Sequence, residues 1–197
     1  MKKPILAALA LCYALGAAAQ TPDTAAPEGY RFTDVKILPV TPVKDQSRSG
    51  TCWCYSTLSF FESEILRAGG PELDLSEMWI VRNIYFEKAV KYVRLHGSLN
   101  LAVGGQAHDV LHGIEAYGIV PEEIYPGLNY GTELPEFNEI DAVLKAYVDA
   151  VIATADANGG KLTTAWQTGL NGILDAYFGK MPEKFTYKRT VSYTHLT

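Results

Sequence analysis

The chain has 197 residues, 48% of them hydrophobic, and a formal net charge of −5. That length and apolar content suffice for one sizeable core and argue against a second full domain. The acidic balance, with no basic run and no basic residues interleaved with aromatics, excludes nucleic acid as an expected partner.

The N-terminus reads as a secretory signal peptide over residues 1–19. Lys2 and Lys3 form a basic n-region, Ile5 to Gly16 an apolar h-region, and Ala17-Ala18-Ala19 a small-residue cleavage site before Gln20. The apolar stretch is too short to span a bilayer, and no later segment is long and apolar enough, so no membrane association is expected after cleavage. Cys12 lies inside the h-region, and Leu11 stands where a lipid-anchor motif needs a small residue, so lipidation fits poorly. The mature chain then keeps two cysteines, Cys52 and Cys54. Two residues apart on a helix, they point to different faces and cannot close an unstrained disulfide. An exported chain without disulfides fits a bacterial protein, periplasmic or secreted.

Residues 20–39 form a leader, polar at first and then extended. Asp34 to Val43 alternates and carries Pro39 and Pro42, so it reads as extended chain leading to Gln46. Trp53 to Ala68 has helical spacing through Leu58, Phe61 and Ile65 and stops at Gly69-Gly70. Asp74-Leu-Ser-Glu77 resembles a capping box opening a second helix through Met78, Val81 and Tyr85. Gly104-Gly105 precedes a third helix, Gln106 to Tyr117, which Gly118 and Pro121 stop. A fourth pattern runs from Pro135 to Ala155 with Ile140, Val143, Leu144, Tyr147, Val151 and Ile152 on one face. A fifth runs from Thr163 to Phe178 with Trp166, Leu170, Ile173, Leu174 and Tyr177 inward. The chain is mainly helical, with no evident β-rich portion.

The segment from Gln46 to Trp53 carries the chemistry. Helix N-termini favour thiolates through unpaired N–H groups and the macrodipole, and Cys52 stands at the start of the first apolar run. A thiolate attacking a carbonyl needs a donor for the oxyanion, and the Gln46 side-chain amide is such a donor. Cys52 is therefore read as a nucleophile rather than a buried structural thiol, and Cys54 as a small core residue. His108 and His112 have the i, i+4 spacing that chelates zinc, but Asp109 does not reproduce the H-E-x-x-H order and no third ligand is evident. A solvated or hydrogen-bonded pair is the favoured reading, and no metal or cofactor is expected.

Val40-Thr-Pro-Val-Lys-Asp-Gln46 followed by Ser49-Gly-Thr-Cys-Trp53 resembles the active-site segment of papain-like cysteine peptidases. Leu75-Ser-Glu77, Gly104-Gly105, Tyr117-Gly118-Ile119 and Glu123-Ile-Tyr-Pro126 resemble that family's later segments in the same order. The resemblance implies Cys52 as nucleophile, Gln46 as oxyanion donor, and Gly104 and Gly105 as the glycines that bind substrate backbone. Ser49 stands where secreted relatives carry a disulfide cysteine. That departure, with Gly105-Gln106, the insert between the second and third helices and Met181-Pro-Glu-Lys-Phe185, is closer to the bleomycin hydrolase and aminopeptidase C branch. The branch is mostly cytoplasmic, so the signal peptide departs from it.

The implied fold is α+β and papain-like, with the helical half present as residues 40–188 and the β-rich half largely missing. Family peptidases place a base histidine, oriented by an asparagine, about 130–150 residues past the cysteine. Only His195 falls in that window, in a context unlike the family's histidine and with no asparagine after it. Val191 to Thr197 also resembles a translated adapter sequence, so residues 189–197 are read as an artefactual tail and the chain as a C-terminally truncated fragment, inactive by itself. The expected function is peptide-bond hydrolysis, of aminopeptidase type, acting on peptide substrates. A papain-like endopeptidase and a non-catalytic peptide-binding module are the alternatives. A homo-oligomer of the full-length protein stays open.

Overall fold

A computed structural model of the chain describes residues 29–30, 32–187 and, for the backbone alone, 190–193. The signal peptide, Cys12, the leader through residue 28 and His195 lie outside the described residues. The chain divides into two units, residues 1–37 and 38–197. In the first, the described residues have no regular secondary structure, and the rings of Tyr30 and Phe32 stand 6.4 Å apart.

The second unit begins with extended chain and continues into five helices: α1 (Cys52–Arg67), α2 (Glu77–Arg94), α3 (Ala107–Tyr117), α4 (Asn138–Ala157) and α5 (Ala165–Phe178). A hairpin follows, β1 (Lys184–Tyr187) antiparallel to β2 (Thr190–Tyr193), with Lys184 opposite Tyr193. No helix among the described residues is long and apolar enough to cross a membrane.

Helix α2 is the centre of the fold. It touches each of the other four helices, and Met78, Trp79, Ile80, Val81, Ile84, Tyr85 and Ala89 are all buried. Residues 77–85 of this helix are buried on every side, so the other helices are laid around its first half. Trp79 packs edge-on to Tyr125 at 5.5 Å, and Phe137 edge-on to Phe178 at 5.4 Å, a favoured geometry for aromatic pairs.

Local chemistry sets the helix ends. At the C-terminus of α1 the Gly69 and Gly70 amides donate to Leu66 and Ile65 carbonyls, a Schellman arrangement. At the start of α2 the cap is Ser76, whose hydroxyl accepts from the Trp79 amide at 3.0 Å and donates to the Tyr125 carbonyl. Asp74, the residue that opens the capping-box pattern in sequence, is drawn away to an ion pair with Lys44. Helix α4 begins three residues later than its periodicity suggests, at Asn138 rather than Pro135. The backbone of residues 135–137 is committed elsewhere: the Arg48 amide donates to the Pro135 carbonyl and the Phe137 amide to the Arg48 carbonyl.

One polar cluster crosses this core. The Lys44 ammonium lies against Glu77 (2.8 Å), Glu62 (3.3 Å) and Asp74 (2.5 Å) and donates to the Leu75 carbonyl. Glu62, 1% exposed, also accepts from the Thr41 hydroxyl and the Leu75 amide. Burial by itself would lower the Lys44 pKa, but bonds from Asp74 and Glu77 and the surrounding carboxylates outweigh it and hold the amine well above its usual range. Glu77 rises, chiefly by burial and against the pull of Lys44. Glu122 rises furthest, to about 8, through burial first and the Glu77 charge second. One of its carboxyl oxygens is buried without a hydrogen-bond partner.

Two outcomes are expected. Glu62→Ala removes a buried charge and strands the Leu75 amide, and should cost about 3 kcal/mol in urea unfolding; a loss below about 1 kcal/mol would mean that the cluster does not hold the fold. Glu122 has a folded-state pKa raised above its unfolded value of 4.5. Its contribution is therefore complete below pH 4.5 and is lost as pH rises to about 8. Unfolding free energy should fall across that window, and Glu122→Gln should flatten the fall; an unchanged slope would contradict the assignment.

Candidate active site

The extended chain that carries Lys44 delivers Gln46 to a tight turn before α1. Asp45 accepts from the Ser47 amide at 2.7 Å, and Ser47 takes a positive φ of 49°. The Ser49 hydroxyl donates to the Gln46 carbonyl at 2.7 Å. Its one proton is thereby used, so in the close Ser49–Thr51 hydroxyl contact Thr51 is the donor. Ser49 is 1% exposed and Thr51 fully buried. Where secreted relatives of this motif carry a disulfide cysteine, the turn is held by two small hydroxyls.

Cys52 is the first residue of α1 and its side chain is exposed. The first turn of α1 carries no acidic residue. Cys54 is fully buried and its thiol donates to the Glu77 carbonyl at 3.5 Å. Burial first, and then the Glu77 charge, push this thiol well above its usual pKa, which leaves it protonated and unreactive. The two cysteines thus occupy opposite environments. Gln46 is half-buried, in the turn leading to Cys52.

Residues 103–105 arrive beside this turn from fifty positions downstream. The Trp53 indole donates to the Val103 carbonyl at 3.0 Å. Gly50 has φ +65°, and a Cβ there would stand 2.7 Å from a Val103 methyl. Gly105 lies flat on the Trp53 ring, where a Cβ would come within 2.7 Å of two ring carbons. A side chain at either position would wedge the turn and the glycine pair apart. Lys88 completes the wall, its ammonium 5.5 Å from the Trp53 ring centroid and bonded to the Gly104 carbonyl. Gly104 is itself exposed, with open space where a side chain would be.

Cys52, Gln46, Gly104 and Gly105 are therefore drawn into one region by contacts of Trp53, Val103 and Lys88. Sequence alone singles out none of those three supports, although Trp53 follows the cysteine directly. The histidines are placed elsewhere. His112 bonds Glu87 at 2.9 Å, His96 lies 3.4 Å from Asp156 and His108 lies 3.5 Å from its neighbour Asp109. Among the described residues no histidine bonds to Cys52, and no three metal-ligating side chains converge.

Comparison with known proteins places this arrangement. The sequence is 34% identical over 70 residues to cathepsin K of Gallus gallus, covering 31% of this chain and 21% of that protein. It is 27% identical over 139 residues to the senescence-specific cysteine protease SAG39 of Oryza sativa subsp. indica, 64% of this chain and 38% of that one. With a cysteine proteinase of Trypanosoma brucei brucei it shares 28% over 135 residues, 64% and 28% of the two lengths. The chain spans less than two-fifths of the length of these relatives. The fold is similar to the crystal structure of PepW from Lactobacillus rhamnosis HN001, with a TM-score of 0.60 at 20% identity, over 98% of this chain and 50% of that one. The architecture is thus the helical half of a papain-like α+β fold. The pattern of the papain family cysteine proteases matches residues 26–130, more than half of the sequence, and takes in the turn, the thiol and the glycine pair: the chain belongs to that family.

Proposed function

We propose that this chain supplies the nucleophile half of a cysteine peptidase that removes residues from peptide N-termini. The observation that carries the reading is the exposed Cys52 thiol at an acid-free helix N-terminus, one turn after Gln46, while Cys54 two residues on is sealed in the core. In this reading Cys52 Sγ attacks the scissile carbonyl carbon. The oxygen takes the negative charge and is held by the Gln46 side-chain amide and the Cys52 backbone N–H. The C–N bond then breaks, leaving an acyl-thioester that water hydrolyses. Gly104 and Gly105 offer backbone groups to the peptide, Gly105 being held against the Trp53 ring at a distance only glycine allows.

The thiol proton must pass to a base and return to the leaving amine. No described histidine reaches Cys52, so the base belongs to a part of the protein outside the described residues. The aminopeptidase assignment rests on Ser49 in place of a disulfide cysteine, on Gly105-Gln106 and on the insert between α2 and α3. The likeness to PepW is compatible with it at the level of fold.

In the full-length protein, Cys52→Ala should lower kcat on aminoacyl fluorogenic substrates roughly a thousandfold or more. Cys54→Ala should leave turnover within a few-fold, and its loss in a folded protein would overturn the choice of nucleophile. Blocking the substrate's α-amine should abolish cleavage by an aminopeptidase; undiminished cleavage identifies an endopeptidase. The 197-residue chain by itself is expected to show no peptide turnover while still reacting at Cys52 with iodoacetamide. Thiol-dependent hydrolysis by it would restore His195 as a base.

A further inference from the structure

A cavity of about 880 Å³ has Gly104, Gly105 and Gln106 along one wall and the last turns of α2 along the other. It shares that glycine wall with the region around Cys52, through Trp53 and Lys88. Its floor is apolar, from Ile84, Val90, Leu99 and Ala102. Its charged lining is lopsided. Lys88, Lys91 and Arg94 follow one another at three-residue intervals along α2 and so share one side of the helix.

Two carboxylates also line the cavity, and both are already engaged. Glu87 is bonded to the His112 imidazole and the Tyr117 hydroxyl. Asp109 accepts from the Gln106 amide at 2.8 Å and closes the first turn of α3. Lys91 and Arg94 form no ion pair among the described residues. Burial draws the Lys88 ammonium below its usual pKa, against the pull of Asp109. In a chain with net charge −5, three cations around an apolar floor run against the average of the surface. Lys91 and Arg94 are exposed, and both line the concave wall that faces the glycine pair.

We infer that this cavity is a subsite for a carboxylate side chain of the peptide substrate, with Lys91 and Arg94 as its counter-charges and Lys88 holding Gly104 in place beside it. The inference rests on the cleft reading above and adds the substrate class, acidic peptides. A glutamate side chain suits the lining: its methylenes pack on Val90 and Leu99 while the carboxylate reaches the cations. Because the pairs are partly exposed, they select among peptides more than they raise affinity.

The test is covalent labelling of Cys52 in the 197-residue chain by iodoacetylated tripeptides, in which glutamate replaces glutamine one position at a time. This alkylation needs no histidine. Each rate is read by peptide mapping at Cys52 and divided by the rate of iodoacetamide on the same protein. At one position the glutamate peptide should react roughly three- to tenfold faster than its glutamine counterpart, and the advantage should shrink as salt is raised. The charge reversal K91E/R94E should invert the preference. Single changes K91Q and R94Q, at exposed helix positions, should each reduce it, and they decide the matter if the double reversal does not fold. Equal rates at every position, with peptides still outrunning iodoacetamide, would overturn the subsite and leave the cleft reading standing. Peptides no faster than iodoacetamide would overturn both.

Discussion

The Lys44 ammonium is the contact on which the rest of this structure depends. It joins three stretches of chain: the extended segment that ends in Gln46, helix α1 through Glu62, and the entrance to α2 through Leu75, Asp74 and Glu77. A buried charge without partners is costly enough to unfold a domain of this size, so the buried Glu62 and Glu77 carboxylates are bound to the position of the one amine, with the exposed Asp74 joining them from the solvent side. The segment two residues ahead of the oxyanion-donor candidate is thereby clamped to the helix that carries the thiol and to the start of α2. The clamp is also over-supplied with acid, since three carboxylates touch one lysine and Glu122 stands close by. The imbalance emerges at Glu122, where burial and the Glu77 charge favour the protonated form up to about pH 8.

Around that clamp the candidate site is built with little secondary structure of its own. Cys52 owes its exposure to being the first residue of a helix, and Cys54 owes its burial to lying on the helix face that meets α2. The glycine pair is held against the turn by a flat contact with the Trp53 ring and one indole hydrogen bond. Ser49 and Thr51 hold this buried turn by hydrogen bonds within it. Such bonds hold the turn only while water is kept out, and both residues are almost wholly buried.

Much of the helical architecture was legible in the chain. The periodicity of α1, α3 and α5 located each to within about two residues, and for α2 it located the start but gave no end, because a helix is stabilised by bonds between near neighbours and one apolar face. The α4 start was displaced because Arg48, ninety positions earlier, takes the backbone groups of Pro135 and Phe137. Asp74 fits a capping pattern, but the helix starts two residues later, where Ser76 takes the cap, and Asp74 pairs with Lys44. Val148 is fully buried in α4 although its face was read without it, whereas Val143, placed on that face, is partly exposed. Such shifts follow from which neighbours α4 meets, a matter the sequence of α4 alone does not contain.

By itself the sequence determined the spacing of Gln46 and Cys52, the helix that begins at the cysteine, the order of the family's motifs and the exclusion of a Cys52–Cys54 disulfide. These are local properties, fixed by residues within a turn or two of one another. Only the tertiary structure decided that Trp53 and Gly105 form one surface, that Lys44 gathers three carboxylates, and that Lys88, Lys91 and Arg94 line one cavity with the glycine pair. Each of those depends on residues dozens of positions apart meeting across the packed core around α2. Their pairing is set by shape and by the need to neutralise buried charge, neither of which leaves a period in the chain.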